Sequence, residues 1–210
     1  RSGPSLDRLK ITPGNVKHKN GKKYLIGYVG VIGEQEGLDL LLKSVEYINQ
    51  LRDDFHCAIV GGGTDLEKIK ELCTSMNLQD CVTFYGRVSD ELLIEVLNTC
   101  DVCVNPDKPT VMNNLSTMNK IMEYMALKKP IVQYDLKEGK ASALKASLYA
   151  EPNDIKDFAH KITYLFDNED VAEEMGAFGH SRVLNELSWD FESKKLIQFY
   201  ENLFGSHESK

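Results

Sequence analysis

Short apolar runs that end in glycine or polar residues alternate along this sequence with segments of helical periodicity. The clearest example is Tyr24–Val31 followed by Leu38–Ile48, in which apolar residues recur every three or four positions. The other predicted strands are Phe55–Val60, Val82–Tyr85, Asp101–Asn105, Pro130–Tyr134 and the short Leu148–Tyr149. Strands alternating with helices form a parallel sheet covered on both faces, so the sequence predicts a Rossmann-like, doubly wound α/β fold of about six strands.

Capping residues predict where helices begin between these strands. Thr64 and Glu67 have the spacing of a capping box, in which each side chain hydrogen-bonds the backbone N–H of the other. Ser89, which is followed by two acidic residues, predicts the start of another helix. A polar loop is expected at residues 106–115, and Ser116 is predicted to cap the helix after it.

The end of the chain, residues 153–203, is predicted to be a helical tail in three segments, with breaks near residues 167–168 and 187–188. Its last segment carries apolar side chains at helical spacing, namely Trp189, Phe191, Leu196 and Tyr200. We expect these side chains to pack on a core or on another domain and not on a ligand.

Residues 1–22 differ in composition from the rest of the chain. Prolines and glycines lie there among basic side chains, which is typical of a linker or of the trailing end of a preceding domain. Residues 23–210 are predicted to form one domain, because 210 residues are too few for two ordinary α/β domains. Because the first residue, Arg1, is not methionine, we expect the chain to be an excised part of a longer protein.

The charge balance narrows the class of protein. The sequence has 25 Lys and Arg residues against 32 Asp and Glu residues, a formal net charge of -7. Nucleic-acid-binding proteins need concentrated positive charge, so no nucleic-acid partner is expected. No apolar run approaches the ~18 residues that span a bilayer, and no export leader is recognisable. These features predict a cytoplasmic protein.

The cysteines do not favour a disulfide framework, because their number is odd and they are scattered through apolar segments. Cys100 and Cys103 form a C-x-x-C pair, but the sequence has no second Cys/His pair to complete a zinc site. We expect reduced, partly buried thiols, and neither a metal nor a resident cofactor.

Two glycine-rich loops follow predicted strands, at the edge of a parallel sheet where ligands bind. Gly30 and Gly33 in the first loop would let the backbone approach a ligand closely. That loop lacks both the P-loop and the G-x-G-x-x-G patterns, so a tight turn is an equally good interpretation. Gly61–Gly63 after the second strand is better explained by close packing of strand and helix.

The most informative segment is residues 114–126. Backbone N–H groups at the start of a helix bind anions, and a phosphate there would meet the amides of Thr117–Asn119. Lys120 would supply a counter-charge, and Glu123, one turn further along, would accept hydrogen bonds from sugar hydroxyls. An exposed Lys–Glu pair on an ordinary helix, worth only ~0.2–0.5 kcal/mol, is the open alternative.

These residues resemble a known family. From Ser116 to Pro130 the sequence reads S-T-M-N-K-I-M-E-Y-M-A-L-K-K-P, which resembles the nucleotide-sugar segment of group 1 retaining glycosyltransferases of the GT-B fold, bacterial polysaccharide type. Other segments match in the same order: Y-V-G-V from Tyr28, I-V-G-G-G from Ile59, V-T-F-Y-G-R-V from Val82 and Q-Y-D-L-K-E-G from Gln133. The likeness covers about residues 22–205, and several ordered matches are far more specific than one motif.

The resemblance implies a C-terminal GT-B domain that binds a nucleoside-diphosphate sugar, often a UDP-sugar, without a catalytic metal. The acceptor, a saccharide or a lipid-linked molecule, would be held by an N-terminal domain of the same polypeptide that is absent here. We therefore expect this chain alone to be inactive. Any peripheral membrane association would depend on the missing domain or on the acceptor.

The predicted donor site combines the residue patterns with the resemblance. The residues predicted to bind the nucleotide sugar are Gly30, Gly33, Arg87, Val88, Ser116, Thr117, Met118, Asn119, Lys120 and Glu123. Lys120 and Glu123 are also the catalytic candidates: Lys120 would stabilise charge on the departing diphosphate and Glu123 would hold the ribose. Arg87 and Val88 would border the base.

Three positions depart from the family's pattern. Members usually carry a Glu-x7-Glu pair, whose second Glu matches Glu123 while the first falls on Leu115. An Arg and a Lys that usually contact the diphosphate are replaced by Val31 and Glu36. A charge-assisted hydrogen bond contributes roughly 1.5–3 kcal/mol, more than the 0.3–1 kcal/mol or so of a helix N-terminus. We expect Lys120, assisted by the arginine after the third strand, to supply the missing positive charge.

Two other functions stay open. A non-catalytic binding or scaffold module of the same fold is favoured by those departures. A nucleotide-sugar epimerase would need carboxylates and histidines facing the sugar. The histidines of this sequence all lie outside the predicted loops, at His18, His56, His160, His180 and His207.

Overall fold

The structure, a computed structural model, describes residues 4 and 6–205. This part of the chain forms one six-stranded parallel sheet in the order β3-β2-β1-β4-β5-β6. The strands are β1 (Tyr24–Val29), β2 (Phe55–Val60), β3 (Val82–Gly86), β4 (Val102–Asn105), β5 (Ile131–Tyr134) and β6 (Ser147–Ala150). The order confirms the predicted doubly wound, Rossmann-like fold.

Helices cover both faces of the sheet. They are α1 (Leu38–Asn49), α2 (Leu66–Ser75), α3 (Asp90–Thr99), α4 (Val111–Leu115), α5 (Asn119–Ala126), α6 (Lys137–Ala143), α7 (Ile155–Asp167), α8 (Glu169–Arg182) and α9 (Trp189–Gly205). Buried side chains of α1, α2 and α7 form one hydrophobic cluster, and those of α3 and α5 form a second.

Strand β1 shows why the sheet is buried on both sides. Tyr24, Ile26 and Tyr28 belong to one cluster, whereas Leu25 and Val29 belong to the other. Successive side chains of a strand point to opposite faces, so an uninterrupted apolar run supplies both cores at once.

The predicted capping box before α2 is wrong. The helix begins at Leu66 after Asp65, and no side chain caps it. Glu67 instead accepts a hydrogen bond from Lys70 Nζ at 2.8 Å. The amide of Asp65 donates to the carbonyl of Ile32 at 3.0 Å, so a contact between loops holds this turn. The predicted cap Ser89 is confirmed, because its hydroxyl accepts from the backbone N–H of Leu92 at 3.4 Å.

The segment after β4 also differs from the prediction. Residues 111–115, expected to be loop, form α4, whose cap Thr110 accepts a hydrogen bond from the amide of Asn113 at 3.0 Å. Ser116 ends α4 and does not begin the next helix, since α5 starts three residues later with Met118 at its N-cap. The side chain of Asn113 holds α4 in place by donating to the carbonyls of Gln35 and Lys108.

The three predicted C-terminal helical segments are confirmed as α7, α8 with a following π-helical turn at Val183–Leu187, and α9. Helix α9 leaves its apolar side chains between 39% and 49% exposed at Trp189, Phe191, Leu196 and Tyr200. They therefore do not enter either core of the domain. In the part of the chain that the structure describes, no helix is both long enough and apolar enough to cross a membrane.

The segment before β1 lies along α3. Leu9 is buried in the cluster that contains the α3 side chains. The amide of Thr12 donates to the side-chain oxygen of Asn98 at 3.2 Å. Further along, His18 Nε2 lies 2.7 Å from Glu95 Oε1. Hydrogen bonds from Lys17 and His18 lower the pKa of the Glu95 carboxyl to about 2. A segment predicted to be a linker is thus anchored on the domain at several points.

Candidate functional site

The strand order places a crevice between the ends of β1 and β4. From β1 the chain proceeds outward through β2 and β3, and then returns to β4 on the other side of β1. Ligands of open α/β sheets bind at such a reversal, beyond the carboxyl ends of the strands. In this fold the crevice lies between the loop at residues 30–37 and the loop at residues 106–110.

The loops around the crevice touch through their backbones. Gly37 has φ of 67°, and a Cβ there would lie 2.0 Å from the carbonyl oxygen of Pro106. A Cβ on Gly61 would lie 1.8 Å from the carbonyl oxygen of Gly30. The amide of Lys108 also donates to the carbonyl of Gln35 at 2.9 Å. Larger residues at these glycines would separate the loops that follow β1, β2 and β4.

The structure brings Lys120 and Gly30 together in this crevice. A Cβ on Gly30 would lie 3.5 Å from Lys120 Cε, and Lys120 Nζ lies 5.1 Å from the ring centroid of Tyr28. Lys120 Nζ also donates to Asp107 Oδ1 at 2.7 Å. The side chain of Lys120 is 11% exposed and that of Asp107 is 2% exposed. The two therefore form a buried ion pair where the crevice begins.

Asp107 is a residue of the crevice that the sequence analysis missed. Burial raises the pKa of its carboxyl above the ordinary value, although the Lys120 ammonium lowers it. Within the described residues, its Oδ2 atom is buried without a hydrogen-bond partner. The sequence contains one indication of this role: Asp107 is an acidic residue two positions after β4, at the ligand-binding edge of the sheet.

The start of α5 presents free backbone donors. In the part of the chain with described positions, the amides of Thr117, Met118 and Asn119 have no hydrogen-bond acceptor, and the amide of Ile121 is the first to bond, to the carbonyl of Met118. The hydroxyl of Thr117 donates to Glu138 Oε1 at 2.8 Å. Free N–H groups at a helix start suit an anion.

Glu123 lies one turn along α5 and contacts the segment before β1. Arg8 Nη1 donates to Glu123 Oε1 at 2.8 Å, and the Glu123 side chain is 17% exposed. Arg8 could not be predicted as a partner of Glu123, because 115 residues separate the two positions along the chain and no local pattern connects them.

The other predicted site residues lie on the rim. Arg87 is exposed after β3, and its Cγ lies 3.4 Å from the position of a Cβ on Gly62. Val88 is half-buried against the cluster of α3 and α5. A Cβ on Gly33 would lie 2.8 Å from Glu36 Oε2, so the Glu36 carboxylate lies beside this glycine. The roles assigned to these residues stay predictions.

Metal-ligating side chains are not gathered in the described residues: no group of three or more His, Cys, Asp or Glu could hold an ion. The five cysteines, Cys57, Cys73, Cys81, Cys100 and Cys103, are free thiols, all buried.

Two known proteins are similar to this chain in sequence. The chain is 24% identical over 195 residues to poly(ribitol-phosphate) alpha-N-acetylglucosaminyltransferase of Staphylococcus aureus, covering 90% of this chain and 37% of that protein. It is 25% identical over 219 residues to D-inositol 3-phosphate glycosyltransferase of Corynebacterium jeikeium, covering 95% of this chain and 51% of that protein. The chain thus spans about half or less of the length of these two relatives.

Solved structures share the fold. The Anabaena protein Alr3699/HepE, in complex with UDP and glucose, matches with a TM-score of 0.80 at 12% identity, over 95% of this chain and 55% of that chain. The C-terminal domain of a glycosyl transferase group 1 family protein (LpcC) from Francisella tularensis matches with a TM-score of 0.75 at 16% identity, over 89% of this chain and 100% of that chain.

The family profile described as glycosyl transferases group 1 matches residues 14–182, which is most of the chain. This match confirms the resemblance carried by the Ser116–Pro130 segment. The chain therefore belongs to the group 1 glycosyl transferases.

Proposed function

We propose that this chain is the donor-binding domain of a retaining glycosyltransferase that moves a sugar from a nucleoside-diphosphate sugar, with uridine as the base, to a saccharide or lipid-linked acceptor. The observation that carries the proposal is the position of Lys120, which lies in the crevice beside Gly30 at the start of α5. Family membership supports the reaction class.

The diphosphate is bound by the amides of Thr117–Asn119 together with Lys120. An ammonium group has three N–H donors, and one of them is engaged by Asp107. The remaining donors stabilise negative charge on the departing diphosphate, an electrostatic contribution to catalysis. Val31 and Glu36 supply no positive charge here, so the diphosphate depends on Lys120 more strongly than in relatives that keep the Arg and Lys of the pattern.

Glu123 holds the ribose, and Arg87 with Val88 borders the base. The choice of uridine is supported by the solved Anabaena protein, whose structure contains UDP. Other relatives are named as GDP-mannose-dependent mannosyltransferases, so guanosine is the competing base. A saccharide or lipid-linked acceptor would be bound by the part of the relatives that this chain does not span. In this proposal the protein acts in the cytoplasm.

Calorimetric titration of this chain with UDP and with GDP tests the proposal. We expect UDP to bind, and Lys120→Ala to weaken binding at least about tenfold, as expected for the loss of one charge-assisted hydrogen bond. The matched control is Lys43→Ala, because Lys43 is an exposed lysine on α1 and its removal changes the net charge equally. UDP affinity should be unchanged in that variant.

A non-catalytic scaffold is the second candidate, and one contact favours it: Asp107 already neutralises Lys120. If neither UDP nor GDP binds at millimolar concentration, the result supports the scaffold and contradicts the transferase proposal. Tighter binding of GDP than of UDP would show that the donor carries guanosine and not uridine. Equal UDP affinity in the wild type and Lys120→Ala would remove Lys120 from the diphosphate site.

A further inference from the structure

The carboxylate of Glu123 is held by a residue from outside its own helix. Arg8 precedes β1, whereas Glu123 lies on α5, and Arg8 Nη1 donates to Glu123 Oε1 at 2.8 Å. The same guanidinium donates to Asp90 at both oxygens, from Nε to Oδ2 at 2.8 Å and from Nη2 to Oδ1 at 3.1 Å. Arg8 thus connects the first residue of α3 to the middle of α5.

The contacts with Asp90 determine the orientation of the guanidinium. A bidentate contact between an arginine and a carboxylate fixes the plane of the planar fork. Asp90 is suited to this role because it is the first residue of α3, where the helix dipole favours negative charge. The remaining N–H groups of Arg8 therefore point in a defined direction, and Glu123 receives one of them.

The segment that carries Arg8 is itself anchored. Leu9, the next residue, is 4% exposed and packs with the α3 side chains. The side chain of Asn98 on α3 donates to the carbonyl of Lys10 at 3.0 Å. These two contacts tie the residues immediately after Arg8 to α3, so the Arg8–Glu123 pair belongs to an anchored part of the fold.

This arrangement leaves half of the Glu123 carboxylate for a ligand. Among the described residues, Arg8 contacts Oε1, and Oε2 has no hydrogen-bond or ionic partner. A carboxylate held through one oxygen cannot rotate freely, so the other oxygen is presented in one direction. The positive charge of Arg8 also offsets the charge of Glu123, which lies one turn from the proposed diphosphate site.

We propose that Arg8 is a positioning residue of the nucleotide site, and that it orients Glu123 so that Oε2 accepts hydrogen bonds from the ribose hydroxyls of the donor. The inference rests on the proposed function, since it needs a nucleotide in the crevice. It assigns a role in donor recognition to the segment before β1.

Calorimetry with UDP and with 2′-deoxy-UDP, which lacks one ribose hydroxyl, tests this role. We expect the wild type to prefer UDP by about tenfold, the effect of one hydrogen bond to a charged group. Arg8→Met should weaken UDP binding about tenfold and bring the two affinities close to equality. Adding Glu123→Gln to Arg8→Met should weaken UDP binding little further, because both changes remove the same contact.

Two control variants separate orientation from folding. Lys10→Met removes an exposed cation from the same segment, and it should keep the wild-type preference for UDP. Asp90→Asn weakens the bidentate contact between Asp90 and Arg8 but keeps Arg8 itself. The Asp90 side chain is 60% exposed, so the fold should tolerate the change. This variant should lose part of the preference.

Each contrary result has a distinct meaning. Tighter UDP binding by Arg8→Met would show that Arg8 blocks the site, which overturns the inference. If Arg8→Met kept the wild-type ratio of UDP to 2′-deoxy-UDP affinity and only lowered the melting temperature, Arg8 would be a structural contact. That result would also overturn the inference. Absence of nucleotide binding by the wild type would instead overturn the proposed function, and the inference with it.

Discussion

At the scale of single residues, the crevice is built around a buried pair of opposite charges. Lys120 and Asp107 are 2.7 Å apart and nearly closed off from solvent. Each ion offsets the desolvation of the other, so removal of one leaves an uncompensated charge. Neither the pair nor the Arg8–Glu123 contact could be predicted from spacing, because α4 lies between Asp107 and Lys120 and most of the sheet lies between Arg8 and Glu123.

Asp107→Ala should destabilise the protein by about 3 kcal/mol, in the range found when one partner of a buried ion pair is removed. Urea unfolding followed by circular dichroism measures this change. Asp135→Ala is the control, since Asp135 pairs with Lys140 at 2.6 Å on the surface, where both side chains are more than 40% exposed. That change should cost less than ~1 kcal/mol. Equal losses in the two variants would contradict a buried pair at the crevice.

At the scale of elements, the strands were predictable and the helix starts were less so. Every predicted strand other than β1 was confirmed to within one residue at each end. The strands were predictable because a strand buried on both faces is an apolar run between polar breaks. The prediction extended β1 to Val31, but the strand ends at Val29, where the chain turns at Gly30 with φ of 152°. The start of α2 depends on the carbonyl of Ile32, a partner that local capping rules do not include.

The loop that follows β2 offers a test of backbone contact. Gly61→Ala would place a Cβ 1.8 Å from the carbonyl oxygen of Gly30, at φ of 134°. Strain and steric clash together should cost about 2 kcal/mol or more and should weaken UDP binding by moving the first loop. Thermal unfolding and calorimetry measure the two effects.

Gly21→Ala is the matched control for this clash. Gly21 also has positive φ, at 78°, but a Cβ there would have no atom within 4 Å. This variant should lose about 1–2 kcal/mol from strain alone and keep its UDP affinity. If Gly61→Ala and Gly21→Ala had the same UDP affinity, contact between the loops that follow β1 and β2 would not determine the shape of the site.

At the scale of the whole molecule, apolar surface is exposed within the part of the chain that the structure describes. Helix α9 exposes a row of apolar side chains, and α4 exposes Val111, Met112 and Leu115 between 55% and 81%. The chain also spans only 37% and 51% of two of its curated relatives. That further protein is needed for the complete reaction stays a prediction.

We therefore expect this chain to bind a UDP-sugar without transferring it. The acceptor must be held against the sugar for reaction, and this positioning supplies a large part of enzymatic rate enhancement. Release of UDP from UDP-glucose, measured with and without oligosaccharide acceptors, should stay at background. Lys120→Ala is the control for residual hydrolysis. Acceptor-dependent turnover by this chain, absent from Lys120→Ala, would show that the domain is sufficient by itself.

The sequence by itself determined the fold class, the family and the segments that border the crevice. These three properties depend on hydrophobic periodicity and on ordered local motifs, which can be recognised from consecutive residues. Only the tertiary structure decided that Lys120 pairs with Asp107, that Glu123 is held by Arg8, and that α4 forms between two loops. Such contacts join positions remote in sequence, and their energies arise from burial and hydrogen-bond geometry, which exist only once the sheet has assembled.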